Sequence, residues 1–150
     1  MAAPAIENSG RETVITFEDL HIQGQAMGPL PTSYARLTWS ENAWFMTKDF
    51  FSCVRAGDRF GLFNARSGDI TIESKRLFDL KGLSFCTLWS DTTQLIVEGW
   101  EDQVRKYATT LTMKQFSVTP FNLDYHAIDR VELKPGGTHI AVNPITLFFK

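Results

Sequence analysis

The chain carries three histidines, His21, His126 and His139. Nucleophilic catalysis needs a nucleophile, a base and an orienting group in contact. No G-x-S-x-G elbow and no H-E-x-x-H pair occurs, and the histidines share no spacing typical of a zinc site. Each reads as a surface or hydrogen-bonded structural histidine. His139 stands apart, because a closing strand commonly borders the opening of a sandwich. Paired carboxylates could hydrolyse glycosides. The available acids are Asp49, Asp58, Asp69, Glu98 and Asp124, and nothing in their spacing brings two of them to a defined separation. Glu18 and Asp19, in TFEDL (16–20), could hold a cation or simply end a strand. No Gly-rich phosphate loop is present.

The aromatic residues carry more information. There are twelve Phe and four Trp, more large rings than a few chance surface positions would absorb. The stretch ENAWFMTKDFFSCVRAGDRFGLF (41–63) mixes six aromatics with Lys48, Asp49, Arg55, Asp58 and Arg59. Period-two alternation would send half of these rings to each face of a sheet. Apolar walls with a few polar groups describe a small-molecule pocket. The expected walls are Trp44, Phe45, Phe51, Trp89 and Trp100. The expected hydrogen-bond donors, which would act catalytically by polarising a carbonyl, are Lys48, Arg55, Asn64 and His139. Cys53 and Cys86, the two cysteines, sit in apolar strand-like contexts and read as buried free thiols.

The elements that must position these residues are strands. VITF (14–17), FGLF (60–63), DITIES (69–74), LSFCTLW (83–89), QLIVEGW (94–100) and AIDRVELK (127–134) are among the runs with β-branched, aromatic or alternating character. Turns rich in Gly, Pro, Asn and Asp separate such runs at intervals of about ten residues, the pattern of an all-β sandwich or barrel. The expectation is an antiparallel β-sandwich of nine or ten strands with little helix. Only TKDFFSCVRAG (47–57) is a candidate helix, and a short one. Residues 1–12 read as a flexible tail and 13–150 as a single domain, a size that supports a substantial core.

Bulk properties exclude some partners. A net charge of −2 and a pI near 5.9 argue against sequence-independent nucleic-acid binding. Lys and Arg are scattered, so no polybasic membrane patch forms. The opening MAAPAIENSGRE lacks the basic start and apolar run of a signal peptide, and no run approaches the ~18 apolar residues of a membrane span. The expectation is a cytoplasmic protein. An edge strand would allow a homodimer.

The order of motifs resembles jelly-roll domains of the galactose-binding or carbohydrate-binding-module type found in fungal and bacterial proteins. The matching stretches are Phe17-Glu18-Asp19-Leu20, Tyr34-Ala35-Arg36-Leu37-Thr38-Trp39, Leu88-Trp89, Leu95-Ile96-Val97-Glu98-Gly99-Trp100 and Thr109-Thr110-Leu111-Thr112-Met113. The match covers about residues 14–149. Arg36 stands where that pattern usually has Gly. The resemblance implies a jelly roll in which an acidic residue of the first strand, loop carbonyls and a C-terminal Asp often hold a structural Ca²⁺. Here Glu18 is the acidic candidate, and Asn143, followed by Pro144, replaces the Asp. Ca²⁺ is therefore a weak expectation; no other cofactor is implied.

Two functions follow as expectations. Relatives of this architecture include calcium-dependent cyclases of alkaloid biosynthesis. By that analogy the chain would be an intracellular cyclase of secondary metabolism, a Diels–Alderase-type pericyclase that positions an apolar substrate in an aromatic pocket. The alternative is a non-enzymatic carbohydrate-binding or lectin-like module. A cyclase should enclose its rings around a cavity of about 300 Å³ or more. A lectin should present polar and aromatic groups on a shallow face.

Overall fold

The computed structural model describes residues 11–18, 27–47, 60–66, 68–87, 92–114 and 119–150. Among these residues ten strands form in chain order: β1 (Arg11–Ile15), β2 (Met27–Pro29), β3 (Thr38–Trp39), β4 (Ala43–Thr47), β5 (Phe60–Asn64), β6 (Ile70–Thr87), β7 (Thr92–Glu101), β8 (Val104–Lys114), β9 (Thr119–Lys134) and β10 (Ile140–Phe149). A 3-10 turn over Tyr34–Arg36 precedes β3, and no α-helix occurs among the described residues. All pairings are antiparallel. The expected all-β antiparallel sandwich is what the chain forms.

The ladder runs β2-β4-β5-β10-β6-β9-β7-β8, with β1 added to β10 and β3 to β6. Two long strands make it a sandwich. The first half of β6 pairs with the end of β9, from Ile70↔Leu133 to Glu73↔Arg130, and its second half pairs with the start of β9 and with β10. Regular pairing lapses between Glu73 and Phe78. Such irregularities bend strands, so one half of β6 lies in each layer. Trp39, Ile72, Val131 and Leu133 from one layer meet Leu83, Ile145 and Leu147 from the other around a common interior.

Alternation explains which side chains enter that interior. In β7, Leu95 and Val97 are buried while Gln94 and Ile96 face out. In β10, Ile145, Leu147 and Phe149 are buried between the half-exposed Thr146 and Phe148. Tyr125 is buried against Tyr107, ring centroids 4.6 Å apart, and its hydroxyl donates to Val97 O or Thr109 Oγ1, at 2.8 and 2.6 Å. Burial raises that phenol's pKa. Gly99 is required beneath it, since a Cβ there would lie 2.8 Å from the Tyr125 ring.

Three boundaries differ from the sequence expectation. Residues 11 and 12 belong to β1 rather than to a tail, because their backbone pairs with Phe149 and Phe148. DITIES and LSFCTLW are not separate strands; the ladder carries on through the intervening SKRLFDLKG as one β6. The same holds for SVTPFNL and AIDRVELK, joined as β9 across Asp124 and Ala127, both with left-handed φ (52° and 54°). In each case bulged residues let a strand bend where polar residues suggested a turn. The candidate helix beyond Thr47 lies outside the described residues, as do His21 and Cys53.

Candidate functional site

Of the expected wall and donor residues the structure describes Trp44, Phe45, Asn64, Trp100 and His139, and it places them in different surroundings. Phe45 is 1% exposed, packed edge-to-face on Phe60 in the main core, and presents no wall to a ligand. Asn64 is fully buried. Its Oδ1 accepts from Ile140 N, and its Nδ2 donates to Gly68 O and Thr138 O. The amide ties the turn after β5 to the start of β10, which leaves no donor for a substrate carbonyl. Trp44 and His139 do approach each other's neighbourhood. Trp44 packs on the small cluster of Met46, Phe63 and Ala141, and His139 stacks on Phe63 at 5.2 Å. Trp100 lies elsewhere, on the β7–β9 surface. Lys48, Phe51, Arg55 and Trp89 lie outside the described residues.

The interior between the layers does not accommodate a ligand. Its void is about 10 Å³ and is lined only by apolar residues such as Leu37, Ile72, Phe78 and Leu147. That is room for about one water at most. Among the described residues, the enclosed aromatic cavity of a cyclase has no counterpart there.

The outer face of β7, β8 and β9 is built around Glu98. This carboxylate is 4% exposed and faces outward in register with Glu132. Trp100 Nε1 and Lys134 Nζ donate to its Oε1 at 3.2 and 3.1 Å, and Arg105 Nη1 donates to Oε2 at 3.1 Å. Arg130 pairs with Glu132 at 3.1 Å and spreads its guanidinium over the Trp100 ring, 4.3 Å from the centroid. Burial pushes the Glu98 pKa up, but donation from Lys134, Arg105 and Trp100 outweighs it, and the net shift is downward. Lys134 is shifted up by the same bond to Glu98. The carboxylate is thus held ionised with its acceptors in use, and Arg130 covers one face of the indole.

The opposite outer face behaves differently. Where β1, β10, β6 and β9 run side by side, a trough of about 280 Å³ is open to solvent. Its polar residues are Glu12, Lys81, Ser84, Asn122 and Thr146. Among the described residues none of the five makes a side-chain hydrogen bond or ion pair; Lys81 makes a cation–π approach to Phe148, at 5.6 Å. Pro120, Phe121 and Pro144 add apolar surface. Gly82 lies between them because β9 crosses so close that a Cβ would sit 2.3 Å from Phe121 O. These residues come from four strands, and no local motif could have revealed them.

Where the resemblance implies a cation, the described residues place an amide. Asn143, 3% exposed, points its Nδ2 at Thr16 O (2.9 Å) and at Phe60 O, while its Oδ1 is buried without a hydrogen-bond partner. Glu18 Oε2 accepts from Phe60 N at 3.0 Å. Calcium takes six to eight oxygen ligands. Among the described residues this cluster offers the Glu18 carboxylate and the Asn143 amide oxygen, fewer than Ca²⁺ takes, and the described residues hold no group of three or more His, Cys, Asp or Glu able to bind a metal.

No protein-family model matches the chain, and no curated protein matches it. Solved structures do. An exo-beta-agarase aligns over 91% of this chain with a TM-score of 0.57 and 8% identity; the match covers 25% of that chain, so this chain spans about a quarter of its length. The K1 cleaved adhesin domain of Lys-gingipain from Porphyromonas gingivalis W83 aligns over 94% of this chain and 98% of its own, with a TM-score of 0.51 and 9% identity. The family 32 carbohydrate-binding module from C. perfringens NanJ in complex with galactose covers 83% of this chain and 99% of its own, with 12% identity and a TM-score of 0.42, too distant to carry an argument. What these likenesses establish is the fold: a β-sandwich of the jelly-roll type that the sequence motifs resemble.

Proposed function

We propose that the chain is a non-enzymatic carbohydrate-binding module and that its sugar lies in the trough over β1, β10, β6 and β9. One observation carries this reading: five polar side chains line an open groove, and among the described residues none of them has a hydrogen-bond or ion-pair partner. Sugars present a rim of hydroxyls around apolar C–H faces. Glu12 and Asn122 can accept from hydroxyls, Lys81, Asn122, Ser84 and Thr146 can donate, and Pro120 and Phe121 can meet the ring faces. A volume of about 280 Å³ is at the lower end of ligand sites, which run from about 300 to 1,000 Å³. The agarase among the fold neighbours, named for a polysaccharide substrate, supports the same direction. The cyclase expectation has less support, because the void between the layers holds about 10 Å³.

The test is calorimetric titration with neutral gluco- and galacto-oligosaccharides. Binding should be weakened about tenfold in Asn122→Ala, the loss of one to two hydrogen bonds, with an unchanged melting temperature. Failure of every neutral sugar to bind, or binding that Asn122→Ala leaves intact, sinks the proposal.

A further inference from the structure

A second open cleft, about 340 Å³, lies between the 3-10 turn, β3 and the middle of β6. Arg36, Lys75 and Arg76 line it together with the hydroxyls of Ser33, Thr38 and Ser74, and no carboxylate is among its lining residues. Among the described residues, the side chains of Arg36 and Lys75 make no ion pair and no hydrogen bond. The β7–β8–β9 face differs: the three cations around Glu98 and Glu132 are all paired. Ser33 occupies the N-cap position of the turn without using its side chain as a cap. Ser74 Oγ accepts from Arg76 N at 3.0 Å, which leaves its own proton to donate.

The backbone holds these groups in place at a cost. Ala35 and Arg36 both have left-handed φ, 57° and 63°, a region L-residues enter with strain. Tyr34 O fixes the turn by accepting from Leu37 N and from Trp39 Nε1. On the other side, residues 74–77 fall in the stretch where β6 leaves its register with β9. Arg76 is further anchored through its guanidinium to the main-chain oxygen of Lys150. The turn packs Tyr34 and Ala35 against the core, and its strain is also a pointer to function: it sets the Arg36 guanidinium at the rim of a cleft lined by further cations.

The structure assigns this cleft to an oxyanion: a sulfate, phosphate or carboxylate group, either free or carried on a sugar. A guanidinium fork matches two oxygens of such a group, and an ammonium and hydroxyls fill the remaining directions. The site shares no lining residue with the Gly82 trough and stands whether or not that trough binds sugar.

The experiment titrates the full chain with inorganic sulfate, with a sulfated disaccharide and with the same disaccharide desulfated, by calorimetry at low ionic strength. Arg36→Gln/Lys75→Gln is the comparison protein, both substitutions being at exposed positions and checked by melting temperature. The expected result is at least a tenfold preference for the sulfated over the desulfated sugar, lost in the double variant, kept in Asn122→Ala and weakened by added NaCl. Equal affinity for inorganic sulfate and the sulfated disaccharide makes it a free-anion site; tighter binding of the disaccharide makes the anion sugar-borne. Absence of binding by both sulfate-bearing probes, or binding that the double variant leaves unchanged, overturns the assignment.

Discussion

The outer faces of the sandwich use similar side chains for opposite ends. On the β7–β8–β9 face, Arg105, Arg130 and Lys134 close on Glu98 and Glu132, and even the Trp100 ring is covered by a guanidinium. On the β1–β10–β6–β9 face, Glu12, Lys81 and Asn122 sit around a trough and make no side-chain hydrogen bond or ion pair among the described residues. The difference teaches that charge and aromatic content alone do not set a face apart. On the proposed reading, what marks a binding surface is hydrogen-bonding capacity that folding leaves unused.

The sharpest way to break this contrast is at its paired side. Glu98→Ala strands Lys134 and Arg105 beside a buried gap. A fully buried ion pair loses about 3–5 kcal/mol when one partner is removed. Arg105 is 56% exposed and Lys134 33%, so water recovers part of this and about 2–3 kcal/mol is expected. Urea unfolding measures it, and sugar affinity should be unchanged. Trp100→Ala is expected to cost about 1–2 kcal/mol, through the lost cation–π contact and the lost donor to Glu98. Loss of sugar binding in Trp100→Ala would move the binding surface to the Glu98 face and end the comparison.

A pH titration gives a smaller effect. Asp79, 4% exposed, is shifted up by burial, but the Ala127 N–H, His126 and Lys150 outweigh this and leave it below the usual carboxylate range, as for Glu98. Folded pKa values lie below unfolded ones, so both groups contribute stability above about pH 4. That contribution falls as pH drops through the folded values. Melting temperature should decline steeply below about pH 4, and Glu98→Gln should make the decline shallower. The smallest effect is expected of EDTA. With the Asn143 amide facing the carbonyls of Thr16 and Phe60, chelation should not move the melting temperature; a downward shift would restore the cation.

The sandwich was legible because alternation is local: Leu95 and Val97 against Gln94 and Ile96 can be read from one strand. The trough was not, because Glu12, Lys81, Asn122 and Thr146 become neighbours only through pairings that span most of the chain. Residues 48–59 of the aromatic stretch from Trp44 to Phe63 lie outside the described residues; its described Phe rings go to the core. A two-layer core consumes many rings, and Phe45, Phe60 and Phe63 are buried within it or its satellite cluster. Asn64 looked like a free donor in sequence because its three partners lie 4 to 76 residues away. Arg36 stood out as a departure from glycine, and its φ of 63° shows why glycine is the easier residue there.

The continuity of β6 and β9 through both layers has a consequence for how the molecule opens. A sandwich with separate sheets could lose one sheet and retain the other as a partly folded state. Here each layer is hydrogen-bonded to backbone that continues into the other, so peeling one face away breaks the ladder of its neighbour. Amide hydrogen exchange in the two halves of β6 should therefore slow to a common rate set by whole-molecule unfolding. A surface that binds with unpartnered side chains gains from such a mounting, since its strands stay in register between one encounter and the next.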